Sequence, residues 1–190
     1  WRDTNSGERL AAEVKDGRVV RWSLDAGSPF MVFEPAPAGV NAAWLNPALI
    51  FALVITVLAA LAWPVRALVR RSFGASFALE GKPLRAYRLS RLFAWLVIAA
   101  VAGWVGLIAA FSADIGSIGG PLDWLIQSLR LLTPLAAFGL LATAAWHLWL
   151  SIHGKRKWTM KLGAVLLIAA AAVLAWVTLT FHLYGFGMVY

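Results

Sequence analysis

The sequence predicts a mainly α-helical fold: a four-helix transmembrane bundle preceded by a short β-hairpin and an extended linker. Three observations support this class. Hydrophobic residues make up 61% of the 190 residues and charged residues 14%. In soluble domains about half of the residues are apolar and about a quarter are charged. Four apolar stretches reach the roughly 20 residues that a membrane-spanning helix needs. The dipeptide Asp16-Gly17 separates two short β-type runs, which is a strong hairpin signal.

The membrane domain is expected to cover 44–190, with spans at about 47–69, 92–113, 131–152 and 162–183. Asn46 and Pro47 have the sequence of an N-cap followed by a proline at the first helical position. Pro83 is expected to begin a helix that continues into the second span. Small residues in the second and fourth spans predict close packing between helices; they are Ala99, Gly103, Gly106 and Ala110, and Ala169 to Ala172.

Residues 1–43 are polar and contain no span. The hairpin is expected over 9–24, either loosely packed or leaning on the linker around Phe30 and Phe33. The Pro-rich residues predict that this linker leads into the first span. Because an isolated hairpin is only marginally stable in water, we expect residues 1–43 to end an exported β-containing domain. The chain begins at Trp1 rather than at methionine, so the rest of that domain is expected upstream.

The charges of the loops predict the orientation. Between Arg66 and Arg91 there are seven basic residues and one acidic residue, and Lys155 to Lys161 contains four basic residues. The loop from Ser112 to Asp123 has two acidic residues and none that is basic. Basic loops stay on the cytoplasmic side, where their side chains, Arg85, Arg88 and Arg91 among them, meet anionic lipid headgroups. Both termini of this multi-pass protein are then expected on the outer side of the membrane.

Several function classes find no support in the residues. The net charge of +8 lies in membrane-flanking loops, so nucleic-acid binding is not expected. There are no cysteines, and no catalytic, phosphate-binding or zinc-binding motif occurs. The sequence therefore predicts no catalytic residue, no cofactor and no metal site within the 190 residues.

Four ionisable residues are candidates for a site, and each has a structural interpretation. His147 and His182 fall near opposite ends of the bundle, so they cannot bind one haem iron together. His147 and His153 are six residues apart, which does not fit one helix face; all three histidines are expected at the membrane interface. Arg130 can lie inside the third span, but a turn or short helix over Pro121–Gln127 leaves it at the headgroup level as an anchor.

The order of these segments resembles the C-terminal region of bacterial serine hydrolases of the beta-lactamase and penicillin-binding-protein-like class that carry a membrane tail. The resemblance rests on the hairpin WRDTNSGERLAAEVKDGRVVRWSLD, the linker SPFMVFEPAPA and the closing FHLYGFG. It implies an upstream periplasmic catalytic domain in which a serine is acylated and then released by water. None of that domain's motif residues lies in this sequence, so no catalytic position is carried over.

The resulting prediction is a C-terminal transmembrane anchor of a membrane-bound serine hydrolase. Two alternatives remain open: a small polytopic transporter or channel component, and a non-enzymatic assembly or signalling protein. A transporter needs polar groups in the middle of the bilayer. Hydroxyls within the spans, Thr56, Thr143, Thr178 and Thr180 among them, usually bond to their own helix.

Overall fold

The computed structural model describes residues 8–25, 31–74, 79–114, 116, 120–154 and 157–185. The chain divides into two compact units, residues 1–45 and 46–190. In the described residues the first unit holds strands β1 (Leu10–Lys15) and β2 (Arg18–Leu24) and a 3-10 turn at Ala38–Val40. The predicted fold class is confirmed: four long helices follow the hairpin.

The hairpin has the predicted turn. Val14 pairs with Val19 and Lys15 with Arg18, so Asp16 and Gly17 form a two-residue loop with φ of 52° and 74°. Positive φ at both positions defines the type I′ turn that the right-handed twist of a hairpin favours. The register shifts after Glu13, where a bulge adds one residue to β2.

The linker adds a short pairing to the free side of β2. The backbone N–H groups of Trp22 and Phe33 each donate to the other residue's carbonyl at 2.8 Å, and their rings stack with centroids 4.4 Å apart. This confirms the expectation that the hairpin leans on the linker at Phe33. Phe30, the other residue expected in this contact, lies outside the described residues.

Gly17→Val should unfold the hairpin and leave the helices intact. A β-branched residue strongly resists the φ of 74° at this position, whereas lipid-embedded helices satisfy their own backbone groups. Amide hydrogen exchange at Lys15 and Arg18, the pair that closes the turn, should become fast in Gly17→Val. The matched variant Gly17→Asn should keep the protection, since asparagine tolerates positive φ. Protection retained in Gly17→Val would contradict the turn assignment.

The second unit contains helices α1 (Ala42–Ser72, of which the first residues belong to the first unit), α2 (Gly81–Ala113), α3 (Asp123–His153) and α4 (Trp158–Thr180). Each is long and apolar enough to cross a membrane. The helices α1 to α3 have 31 to 33 residues, or about 46–50 Å at 1.5 Å per residue. They therefore exceed the roughly 30 Å of a bilayer's hydrocarbon core.

Two predicted helix boundaries are wrong. Asn46 is not an N-cap, because α1 already begins at Ala42 and Asn41 Oδ1 accepts a hydrogen bond from the Ala43 N–H at 2.9 Å. Pro47 lies inside the helix. In α3, the helix begins at Asp123 and runs continuously past Arg130 and Pro134, rather than starting near 131 after a separate turn. The prediction for α2 is confirmed, since Pro83 lies in its first turn.

The end of α4 also differs, at Thr180 instead of near Leu183. The Leu183 N–H donates to the Thr178 carbonyl at 3.0 Å, and the His182 N–H donates to the Leu179 carbonyl at 3.2 Å. These two bonds, with His182 at φ 51°, form a Schellman motif. It stops the helix with a histidine in the left-handed position that glycine usually occupies.

The helices of the second unit run antiparallel to their sequence neighbours. Between α2 and α3, Tyr87 lies beside His147 and Trp104 beside Thr133. One end of the bundle therefore holds the basic loops, and we call it the basic end; the other holds Asp114 and Asp123, and we call it the acidic end. The core between the helices is built largely from alanine and leucine, as in Ala94, Ala136, Leu140, Leu167 and Ala170.

Small residues bring α2 and α3 together, but not along the whole predicted stripe. Gly103 packs on the Leu129 side chain, whereas Gly106 has open space where a Cβ would lie and Ala99 is exposed. At Gly139 of α3, the ring of Phe93 in α2 occupies the space that a Cβ would need. In α4, Ala170 and Ala171 are fully buried, which agrees with a packing role.

Candidate functional site

The most polar part of the bundle interior lies near its basic end, between α2 and α3. Tyr87 and Ser90 of α2, and His147 and Ser151 of α3, are each at most 6% exposed. Arg91 follows Ser90 directly and is only half-buried. We call these five residues the polar cluster. Ionisable groups within a membrane-spanning bundle are costly and commonly mark function, so the cluster is the first candidate site.

The rings and the guanidinium of the polar cluster contact one another. The Arg91 Cζ lies 4.9 Å from the centroid of the Tyr87 ring, within the range of a cation–π interaction. The centroids of Tyr87 and His147 are 6.0 Å apart and the rings are tilted by 59°. The two helices thus share an aromatic and cationic contact across their interface.

The serines of the polar cluster are not arranged as nucleophiles. Ser90 Oγ donates to the Tyr87 carbonyl at 2.9 Å, and Ser151 Oγ donates to the His147 carbonyl at 2.7 Å. Each hydroxyl proton therefore satisfies a backbone carbonyl of its own helix. A catalytic serine instead gives its proton to a general base, so this geometry stabilises the helices and activates no nucleophile.

The environment of the Arg91 side chain differs from the sequence-based prediction, which placed it beside lipid headgroups together with Arg85 and Arg88. Those two side chains are exposed as expected. The Nε and Nη1 atoms of Arg91 are instead buried, and neither has a hydrogen-bond partner among the described residues. A buried guanidinium with incomplete hydrogen bonding is destabilising, and the Tyr87 ring offsets part of that effect.

The histidines do not form a common site. His147 is buried near the basic end, while His182 follows α4 at the acidic end, where its ring stacks on Tyr184 with centroids 5.8 Å apart. They thus lie at opposite ends, as predicted. The interfacial interpretation did not predict that His147 is only 6% exposed. His153 is exposed, and its Nδ1 lies 2.8 Å from the Trp149 carbonyl oxygen.

Arg130 lies near the acidic end and contacts the segment after α4. Its Nη2 donates to the Tyr184 carbonyl at 3.3 Å. A continuous helix rather than a separate turn positions the residue, and its role as an anchor at the headgroup level stays a prediction. Among the described residues, no three His, Asp or Glu side chains are grouped so that they could hold a metal ion.

The sequence-based predictions missed the polar cluster because its members are spread over two helices about 60 residues apart. A signal was nevertheless present. Tyr87 and Arg91 are spaced i, i+4, and so are His147 and Ser151. Residues at that spacing share one face of a helix. Two polar faces of this kind on adjacent antiparallel helices indicate a polar contact inside the bundle.

Comparison with protein-family models, curated proteins and solved structures finds no match for this chain. The structure by itself defines the class of protein. The described residues contain four helices with the length and composition of membrane spans, as in a multi-pass membrane protein, preceded by a small β-hairpin unit.

Proposed function

We propose that this chain is the C-terminal membrane anchor of an exported bacterial serine hydrolase related to beta-lactamases and penicillin-binding proteins. The catalytic domain lies upstream in the same chain and carries the acylated serine. The four helices hold that domain at the periplasmic face of the inner membrane, where it meets envelope substrates.

The observation that carries the proposal is the surface of the hairpin. No residue of β1 or β2 is buried, and Val14, Val19 and Leu24 are 53%, 40% and 36% exposed. The hairpin nevertheless has a well-formed turn and a paired register. Two strands with exposed apolar side chains are marginal by themselves, which favours a structure completed by another domain.

Loop charge supports the orientation that this role needs. The two loops at the basic end contain seven basic residues between Arg66 and Arg91 and four between Lys155 and Lys161. The acidic end carries Asp114 and Asp123. Retention of basic loops in the cytoplasm puts the acidic end outside. The hairpin unit precedes the outer end of α1, so a domain attached to it is periplasmic.

The helices supply no competing catalytic machinery in the part of the bundle that the structure describes. Its buried serines donate to backbone carbonyls of their own helices. In this proposal the upstream domain carries out hydrolysis, and residues 44–190 attach it to the membrane.

An active-site probe tests the proposal. The full-length chain in its native membrane should react covalently with a fluorescent penicillin or a fluorophosphonate, because both acylate or phosphonylate an activated serine. Residues 1–190 expressed alone should not react. The control is the full-length chain with its upstream candidate serine changed to alanine, which should lose the label. An unlabelled full-length chain, or a start codon close to Trp1, would refute the proposal.

A further inference from the structure

The half of the bundle near the acidic end contains an apolar cavity of about 310 Å³. All four helices contribute to its wall, including Leu53 of α1, Trp104 of α2, Ala137 of α3 and Leu174 of α4. This volume falls at the lower end of the roughly 300–1,000 Å³ typical of small-molecule sites. Neither the anchor function nor the polar cluster explains it.

The depth of the cavity matches one leaflet of a bilayer. Along α2 its lining runs from Val97 to Ile108, which corresponds to about 16 Å at 1.5 Å per residue. That is about half of a hydrocarbon core of roughly 30 Å. The lining of α3, from Thr133 to Ala137, lies in the same half. A hydrocarbon chain of one leaflet therefore has the length to fill the cavity.

The polar atoms in the cavity wall already have partners. Trp104 Nε1 donates to Thr133 Oγ1 at 2.9 Å, and Thr133 Oγ1 donates to the Leu129 carbonyl at 2.7 Å. Thr178 Oγ1 donates to the Leu174 carbonyl at 2.8 Å. A water molecule needs two to four polar partners to be held in a cavity. This wall favours hydrocarbon over water.

The cavity reaches the lipid-facing surface beside α2. Val105 and Ile108 line it and are 61% and 62% exposed. A chain can thus enter sideways from the surrounding leaflet. Since lipid tails are as apolar as the wall, the transfer of a chain from bilayer to cavity brings little hydrophobic gain. Any selectivity must come from a polar group at the end of the cavity.

Arg130 provides that group. It precedes Thr133 by three residues, so both lie on one face of α3, with Arg130 one turn nearer the acidic end. Its Nη2 donates to the carbonyl of Tyr184, the residue after the cavity-lining Leu183. A guanidinium presents five N–H donors in a planar fork that suits a phosphate. Its positive charge thus stands where the headgroup of a lipid in this leaflet would lie.

We propose that the cavity is a binding site for a phospholipid of the leaflet at the acidic end. One acyl chain occupies the space between the four helices, and the lipid phosphate binds Arg130. The site goes beyond an anchoring role and does not depend on an upstream hydrolase domain. The bundle then binds one phospholipid at a defined site, in addition to spanning the membrane.

Native mass spectrometry of the chain in detergent, with added dioleoyl phosphatidylglycerol, tests the site. The unchanged chain should keep one bound lipid after the detergent is removed in the mass spectrometer. Ala137→Leu fills the cavity and should lose this lipid. The matched control is Ala109→Leu, on an exposed position of α2 that does not line the cavity, and it should retain the lipid. Equal retention by the two variants would overturn the cavity as the acyl-chain site.

The headgroup contact is tested separately. Arg130→Gln should weaken phosphatidylglycerol binding by about tenfold to a hundredfold, since it removes a hydrogen bond to a charged group. Binding of dioleoylglycerol, which lacks phosphate, should stay unchanged. Arg130→Lys should restore part of the affinity, which separates loss of charge from misfolding. Equal weakening of both lipids, or binding of inorganic phosphate alone with the affinity of the phospholipid, would overturn the proposal.

Discussion

Gly139→Val should destabilise the bundle more than any other single substitution of a glycine in its helices. The Phe93 ring already occupies the space next to the Gly139 Cα, so an added side chain must push α2 and α3 apart. Overpacking a close helix contact costs about 1–3 kcal/mol and sometimes more. We expect a clear fall in the thermal unfolding temperature of the detergent-solubilised chain, followed by tryptophan fluorescence or by retention on size exclusion.

Gly106→Val is the matched control, because Gly106 lies in α2 with no neighbouring atom within 4 Å of the position that a Cβ would take. It should leave the unfolding temperature nearly unchanged. Adding Phe93→Ala to Gly139→Val should recover part of the lost stability, since the ring is the obstacle and paired substitutions in contact are not additive. Equal effects of the two valines would show that α2 and α3 do not meet at Gly139.

Single cysteines should report the orientation in an all-or-none manner. The chain has no cysteine of its own, so each introduced thiol is the only target. Ser72→Cys and Gly154→Cys, at the basic ends of α1 and α3, should resist an impermeant maleimide in intact cells. Gly120→Cys, before α3 at the acidic end, should react at once. We expect this pattern because translocation of basic loops across the membrane is unfavourable.

Permeabilised cells supply the control for that labelling. All three cysteines should react once the reagent can reach both faces, which shows that none is sterically blocked. Labelling of Ser72→Cys but not of Gly120→Cys in intact cells would reverse the topology. It would also place the hairpin unit in the cytoplasm, which is incompatible with an exported catalytic domain.

The four helices and the hairpin could be predicted because their signals are local. Each span is a long apolar run, and Asp16-Gly17 identifies its turn by the backbone angles that it tolerates. The ends of the helices were less predictable. Asn46 was the expected cap, yet it is the Asn41 side chain that bonds to a helical N–H. Where a helix extends beyond the hydrocarbon core, its last turns contain polar residues. Hydropathy therefore does not show where such a helix ends.

The polar cluster could not be predicted with the same methods, because its burial depends on contacts between helices. Arg91 has the same sequence context as Arg85 and Arg88, yet its guanidinium turns toward Tyr87. His147 resembles an interfacial histidine until α2 covers it. Neither outcome is contained in the hydropathy of one segment. The threonines were predictable, since the bonds of Thr56 and Thr143 to carbonyls of their own helices need no partner element.

Those threonine hydroxyls have a consequence for the energetics of the cell. Protons cross a membrane along chains of polar groups and waters that can pass hydrogen bonds from one to the next. In the described residues, Thr56, Thr143 and Thr178 each donate inward to a backbone carbonyl three or four residues earlier. Hydroxyls paired in this way cannot pass a proton from one span to the next. We therefore expect cells that accumulate this bundle in their membrane to keep their proton-motive force.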